Sequence, residues 1–329
     1  MNYVEIKISS KRLSLQHFFL VIDFNCKIWV YFIKIIPGFV GDYLFYTMAF
    51  INFNGKILEN HTPVIEAGNR GLRYGDGLFE TMKYKNGNLI LVDEHLSRLW
   101  SGMKLLQFDL PKLFTPDKIE EQILQLIQKN KLHSARIRLT IIRANGGLHD
   151  PESHTPHYLI ETWPLADSNG ALNENGLDCC IYHDALKTAD KFSNCKHNNF
   201  LPYFMGALHA KKEKCNDAII LNQHHRICDS TIANVFFIKD NIVYTPSLSE
   251  GCIAGVMRTF VITTLRKNNT AVIEKEITIE DLLHADEVFL TNSIYNMRWV
   301  KGIESNNYSN FKTREIYHQL TQTNGDVFC

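Results

Sequence analysis

Phe192-Ser193-Asn194-Cys195-Lys196-His197-Asn198-Asn199-Phe200 is the stretch from which the fold is read, because of the ordered segments downstream of it. A helical run from about Phe200 to Glu213 comes first. Asp217-Ala218-Ile219-Ile220-Leu221 is next, then Asp229-Ser230-Thr231-Ile232-Ala233-Asn234-Val235-Phe236, then Thr245-Pro246 and Gly255-Val256-Met257-Arg258. A lysine is chemically special only where something can use an amine, for instance an aldehyde that condenses with it. Gly255 stands just before a helical pattern, and a helix N-terminus offers unpaired N–H groups and the positive end of the dipole, which suits a phosphate. Taken alone, Gly255 is a turn glycine, Asp229 a turn cap and Arg98 a solvated arginine. The sharper alternatives are a phosphate cup, an acceptor for a protonated ring nitrogen and an anion clamp.

At 329 residues, with 45% apolar residues, the chain is long enough for two lobes with a real core. Lysine plus arginine equal aspartate plus glutamate at 35 each, so no net field recruits nucleic acid or an acidic membrane. No apolar run reaches the roughly 18 residues of a membrane span. The cysteines are scattered without a C-x-x-C pair, which argues against zinc and a disulfide framework and for reduced thiols in a cytoplasm. His149, His154 and His157 lie close together, but without helical H-x-x-x-H spacing they read as a polar loop, and no metal is expected. Residues 1–47 are expected to be an extension, an upstream translation or a dispensable segment, with the domain proper opening at Met48.

From Met48 the pattern alternates. Asn54-Gly55 and Asn86-Gly87 each sit between apolar-alternating runs, the strongest short hairpin signal. Leu78 to Tyr84 and Leu89 to Val92 are the strands expected around the second turn. Asp93 is expected to cap a helix with Leu96, Leu99, Met103 and Leu106 on one face and Arg98 off it. Thr115-Pro116 opens another, with Ile119, Ile123 and Leu126 inward. Ala135–Arg143 and His157–Trp163 read as strands. The polar connector Ala166–Gly176 divides a smaller lobe, 48–165, from a larger one, 166–329. There, strands are expected at 177–182, 217–221, 234–238, 242–245, 271–277, 287–290 and 298–300, with a helix from Val256 to about Lys267 and room for another to close the chain.

Together these pieces resemble the class IV aminotransferases, pyridoxal-phosphate enzymes of fold type IV that include branched-chain aminotransferase, D-amino-acid aminotransferase and 4-amino-4-deoxychorismate lyase. The resemblance runs from about Phe50 to Val300. It rests on Arg70-Gly71-Leu72-Arg73-Tyr74-Gly75-Asp76-Gly77-Leu78-Phe79-Glu80-Thr81, on His95-Leu96-Ser97-Arg98-Leu99, on Lys196 with Asn199, and on the segments after it. It implies an α+β, two-lobe enzyme, D-amino-acid aminotransferase-like, with pyridoxal 5'-phosphate between the lobes, and a homodimer whose partner helps to line each site. Lys196 would form the Schiff base and shuttle the proton at Cα. Arg98 and the N–H groups of Val256 and Met257 would hold the phosphate, Asp229 would face the ring nitrogen, and Thr231 would complete the cofactor set.

The chain departs from the family at Asp229 and from individual branches of it at other places. Asp229 stands where the family usually has Glu, one methylene longer. Glu80 stands where the lyases often have Thr. The Arg-x-His pair of the D-amino-acid enzymes is missing after Arg143, and the Gly75-Asp76-Gly77 run differs from the branched-chain enzymes. Gly-Val-Met-Arg and Lys-x-x-Asn are most similar to the lyases, which make 4-aminobenzoate, a folate precursor, and pyruvate. A branched-chain or other aminotransferase is the alternative, and a non-catalytic binding protein of the same fold a remote one. Arg143 is the candidate for a substrate carboxylate or else a strand-end arginine in solvent. Tyr74 and Thr81 are further substrate candidates.

Overall fold

A computed structural model describes residues 17–24, 27–34, 50–166 and 170–328. Two units cluster separately, Met1–Ala49 and Phe50–Cys329. In the first, β1 (His17–Phe24) and β2 (Lys27–Lys34) pair antiparallel. The expected domain start at Met48 lies outside the described residues, as do 167–169 of the expected connector.

The second unit begins with a six-stranded antiparallel sheet. Its strands are β3 (Phe50–Phe53), β4 (Lys56–Glu59), β5 (Gly77–Lys85), β6 (Asn88–Leu89), β7 (Ala135–Arg143) and β8 (Pro156–Pro164), in the order β4-β3-β8-β7-β5-β6. Both asparagine–glycine turns are present. Asn54 and Gly55 have φ of 50° and 85°, and Asn86 and Gly87 have 52° and 84°, the left-handed pair a two-residue hairpin needs.

Side-chain alternation gives this sheet two faces. Leu78 and Met82 of β5 share one with Ile137, Leu139 and Ile141 of β7, covered by α2 (Val92–Leu105) and α3 (Pro116–Lys129). A short α1 (Arg70–Tyr74) leads into β5. α3 forms as its sequence dictates. The Thr115 hydroxyl accepts the Lys118 N–H at 3.3 Å, Pro116 sets the first turn, and Ile119, Ile123 and Leu126 are fully buried, each worth about 1.5–3 kcal/mol. α2 corrects an expectation. Its N-cap is Leu91 in a left-handed conformation, Asp93 lies inside the first turn, and β6 ends at Leu89, so Val92 is helical. A carboxylate in the first turn still favours the dipole.

A nine-stranded mixed sheet comes next. It holds β9 (Leu177–Lys187), β10 (Asp217–Asn222), β11 (Ile227–Ser230), β12 (Asn234–Lys239), β13 (Ile242–Pro246), β14 (Val272–Lys275), β15 (Glu287–Asn292) and β16 (Asn296–Ile303), with β17 (Asn306–Asn307) on β16. α4 (Leu201–Lys212) packs on β9 and β10, and α5 (Val256–Lys267) on the central strands. A short α6 (Ile279–Leu283) precedes β15, and α7 (Phe311–Thr323) and α8 (Gly325–Phe328) come after β17.

The Lys196 loop ties the two sheets together. Phe79 donates its N–H to Lys196 O at 2.9 Å and Asn198 to Gly77 O at 3.0 Å, so the loop runs as an extra strand beside the start of β5. Two glycines permit this approach. A Cβ on Gly77 would strike Ile141 O, and one on Gly75, at φ 66°, would strike Asn199 Oδ1.

Candidate active site

A cavity of about 270 Å³ opens where the Lys196 loop, the outer face of β5 and β7, the β11–β12 turn and the N-terminus of α5 converge. Lys196 is half-buried in its wall, with Nζ 4.5 Å from the ring centre of Phe79 and 5.4 Å from that of Phe200. Among the described residues no carboxylate pairs with it. Burial, and then the charge of Arg98, bring its ammonium down to about 7. Much of the lysine is therefore a free amine at neutral pH.

Asp229 is buried with four partners. Oδ2 accepts from the Tyr203 hydroxyl at 2.6 Å, the Ile253 N–H at 3.0 Å and Lys187 Nζ at 3.3 Å, and Oδ1 accepts from Asn234 Nδ2 at 2.9 Å. Burial raises its carboxyl above the ordinary value, with Lys187 and the hydrogen bonds pulling the other way. The Asn234 amide also reaches Ile253 O at 2.8 Å, fixing the loop that leads to α5.

α5 starts at Gly255, which provides no side-chain cap. A Cβ there would strike Asn234 Oδ1, so only glycine lets the helix end meet the cavity. The first N–H groups of a helix lack intrahelical partners, and Val256 and Met257 line the cavity. Two buried side-chain oxygens in the same wall, Thr291 Oγ1 and Asn198 Oδ1, have no partner among the described residues. Arg98, from α2, donates Nη1 to Ala254 O at 2.9 Å, next to that helix end. Its other contacts go to Glu80: Nε to Oε1 at 2.8 Å and Nη2 to Oε2. Burial alone would raise the Glu80 carboxyl, but Arg98 and His95 outweigh it and hold the group at about 2.

Of the residues singled out in the sequence, Thr81, Arg98, Lys196, Asp229, Thr231, Val256 and Met257 meet at this cavity. Thr231 gives both its N–H, at 3.1 Å, and its hydroxyl, at 2.6 Å, to Asp217 Oδ1. Tyr74 and Arg143 lie elsewhere. Tyr74 is 40% exposed, with the Arg70 guanidinium 5.4 Å from its ring centre. Arg143 is buried, neither in solvent nor in the cavity. Its nitrogens donate to Asp76 Oδ2 at 2.9 Å, Leu106 O at 2.6 Å and Gln107 O at 3.2 Å, meet His154 Nδ1 at 2.9 Å, and lie over the Phe108 ring. A guanidinium so fully engaged has no face left for a substrate, which corrects that expectation.

Besides Arg98, the arginines that line the cavity are Arg136 and Arg138, unremarked in the sequence although their two-residue spacing on a strand puts them on one face. Arg138 stacks on the Phe79 ring at 3.9 Å and donates to Thr140 Oγ1 at 3.2 Å. Arg136 lies 5.5 Å from the Trp163 ring centre.

Comparison with known proteins points the same way as this geometry. The profile of the family described as Amino-transferase class IV matches residues 77–303. An aminodeoxychorismate lyase of Vibrio harveyi is 30% identical over 75% of this chain and 89% of its own length. A D-alanine aminotransferase of Bacillus licheniformis is 26% identical over 77% of this chain and 87% of its own. Among solved structures, the branched-chain aminotransferase of the thermophilic archaeon Thermoproteus uzoniensis with norvaline has a TM-score of 0.75. It is 20% identical and is matched over 84% of this chain and 94% of that one, a likeness of fold.

Proposed function

This chain belongs to the class IV aminotransferase family, and from that membership and the charge of its cavity we propose that it is a 4-amino-4-deoxychorismate lyase dependent on pyridoxal phosphate. The residues present fit the cofactor: an amine brought to about 7, an uncapped helix end beside an arginine, and a buried Thr291 hydroxyl that lacks a partner among the described residues. Pyridoxal phosphate, when bound, supplies a sink for the electrons left on the substrate carbon once its proton departs. Lys196 would hold the cofactor's aldehyde. Arg98, the N–H groups of Val256 and Met257, and the Thr291 hydroxyl would hold its phosphate. Asp229 would accept from its ring nitrogen through Oδ1, whose only hydrogen bond among the described residues comes from Asn234.

Lys196 does the proton work. An amine with a value near 7 has a useful basic fraction at neutral pH and gains little from being still stronger. In the lyase reaction its Nζ takes the proton from the carbon bearing the amino group, and pyruvate leaves as the ring aromatises to 4-aminobenzoate. The rings of Phe79 and Phe200 lie beside that amine.

The observation that carries the lyase reading is the pair Arg136 and Arg138 on the cavity face of β7. The lyase substrate bears two carboxylates, and a guanidinium matches each. A branched aliphatic side chain would instead strand charge against apolar surface. An aminotransferase is the second reading, favoured by Glu80 standing where the lyases often have Thr; there the arginines would hold the distal carboxylate of 2-oxoglutarate. Two reactions of the loaded protein, run in parallel, test the choice. One supplies aminodeoxychorismate and follows 4-aminobenzoate and pyruvate. The other supplies branched-chain and D-amino acids with 2-oxoglutarate and follows glutamate. Release of 4-aminobenzoate without an amino acceptor supports the lyase, and glutamate alone overturns it.

A homodimer belongs to the same proposal. α4 exposes Leu201, Phe204, Met205 and Leu208 at 66%, 57%, 38% and 46%, the i, i+3, i+4, i+7 stripe of a helix with a partner. Residues 48–165 and 166–329 would be its two lobes, with 1–47 outside the catalytic unit. No helix among the described residues is long and apolar enough to cross a membrane. Among the described residues the cysteines are unpaired, which fits a reducing cytoplasm.

A further inference from the structure

A second cavity, of about 190 Å³, shares Ile232, Ala233, Asn292 and Tyr295 with the wall of the first. One of its lining side chains has a buried polar atom without a partner among the described residues. Among the described residues the Arg298 side chain gives no hydrogen bond: its guanidinium lies 4.0 Å from the Tyr295 ring centre, and its Nε is buried without a partner. Arginine is a five-donor group that cannot shed its charge, so a buried nitrogen with no acceptor calls for a ligand that brings one.

Asp217 lines the same cavity. It stands on β10 and Arg298 on β16, with β9 between them, so their backbones are at least two strand spacings, roughly 10 Å, apart. Three hydrogen bonds, from Ala218 and Thr231, end on Asp217 Oδ1, which fixes the carboxylate in the wall. Leu177 and Leu290 add apolar surface. A lone anion here would meet Asp217 and a lone cation would meet Arg298, whereas a molecule carrying both charges is attracted to both. We infer that this cavity binds a small apolar α-amino acid as its zwitterion, the carboxylate on Arg298, the ammonium toward Asp217 and the side chain against Leu177 and Leu290.

The ligand would also bear on catalysis through the wall the cavities share. The Asn292 side chain organises that turn: Oδ1 accepts the N–H groups of Ile294 at 3.0 Å and Tyr295 at 2.8 Å, and Nδ2 donates to Ile232 O at 3.3 Å. An amino acid seated beside Tyr295 therefore touches the segment that borders Thr291 in the catalytic wall.

The probe is 2-aminoisobutyrate, which has no Cα proton to lose and so is not turned over by that route. Its binding to the loaded full chain is measured by calorimetry beside isobutyrate, which lacks the ammonium, and isopropylamine, which lacks the carboxylate. The expected result is binding of the amino acid that Arg298→Met weakens about tenfold or more, as loss of a charge-assisted contact should, while Arg138→Met leaves it within about twofold. Circular dichroism checks each fold, with Arg298→Gln in reserve. Unchanged affinity in the folded Arg298 variant overturns the site. Equal binding of isobutyrate overturns the zwitterion, and loss of binding in Arg138→Met would put the probe in the catalytic cavity instead.

Discussion

Arg98 lies bidentate on Glu80, and His95 Nδ1 meets the same carboxylate 2.7 Å from Oε2, so one buried anion holds two groups of α2 in place. Breaking such a buried pair from one side costs about 3–5 kcal/mol, because it leaves uncompensated charge behind. Glu80→Thr, the residue the lyases often carry, is expected to lose stability of that order and to release pyridoxal phosphate more readily, since Arg98 is no longer aimed. Glu80 sits at about 2 against an ordinary 4.5. Its folded value being depressed, the stability it gives is full at neutral pH, wanes as pH falls below about 4.5 and is gone near 2. Urea titrations at pH 6 and pH 3 should show the gap between wild type and variant narrowing, and a constant gap would refute the pairing.

Lys196 gives a slope of the same sign in a higher pH window, but as a cost of burying an ammonium that is relieved as pH rises. Its ammonium is held at about 7 against an ordinary 10.5. Between those values the unfolded chain binds a proton the folded chain lacks, so cofactor-free wild type gains stability as pH rises from 7 to about 10.5. Cofactor-free Lys196→Met is expected to melt above wild type at pH 6, with the advantage fading toward pH 10. Added pyridoxal phosphate should give the wild type, and not this variant, an absorbance near the visible. Persistence of the band would move the covalent site to Lys187 or Lys191.

Arg143 and Arg138 separate structure from recognition. Arg143→Met is expected to cost roughly 3 kcal/mol, since it strips Asp76 of one of two arginines, with KM barely changed. Arg138→Met should raise KM for a dicarboxylate about 10- to 100-fold, the loss of one or two charge-assisted contacts, with little change in melting. A melting loss confined to Arg138→Met, or a KM effect confined to Arg143→Met, would exchange the two roles.

That contrast also marks what a sequence can tell. β7 is legible to the residue because Ala135, Ile137, Leu139 and Ile141 alternate with polar neighbours. Which polar neighbours matter is not, since the backbone pairing of Gly77 with Asn198 decides which face of the sheet meets Lys196. Ordered motifs bring Lys196, Asp229 and the α5 N-terminus to one cavity. The place of Lys187 carries no such signal, because Asp229, a partner distant in sequence, fixes it. β11 is hidden because Ile227-Cys228-Asp229-Ser230 is short and buried on both faces, so it shows no alternation.

Asp229→Glu restores the length usual in the family and should nonetheless do harm. The carboxylate already fills a socket made by Tyr203, Lys187, the Ile253 N–H and Asn234, all within 3.3 Å. One more methylene must push against those donors or against Cys228 and Cys252, both fully buried nearby. Overpacking of this kind typically costs about 1–3 kcal/mol, so the variant is expected to melt about 2–12 °C below wild type and to hold pyridoxal phosphate less tightly by equilibrium dialysis. Lys187→Met paired with Asp229→Glu makes room, and should recover part of both losses. If Asp229→Glu alone melts at or above wild type and binds the cofactor more tightly, the socket is not shaped to the shorter side chain and Lys187 has no part in fixing it.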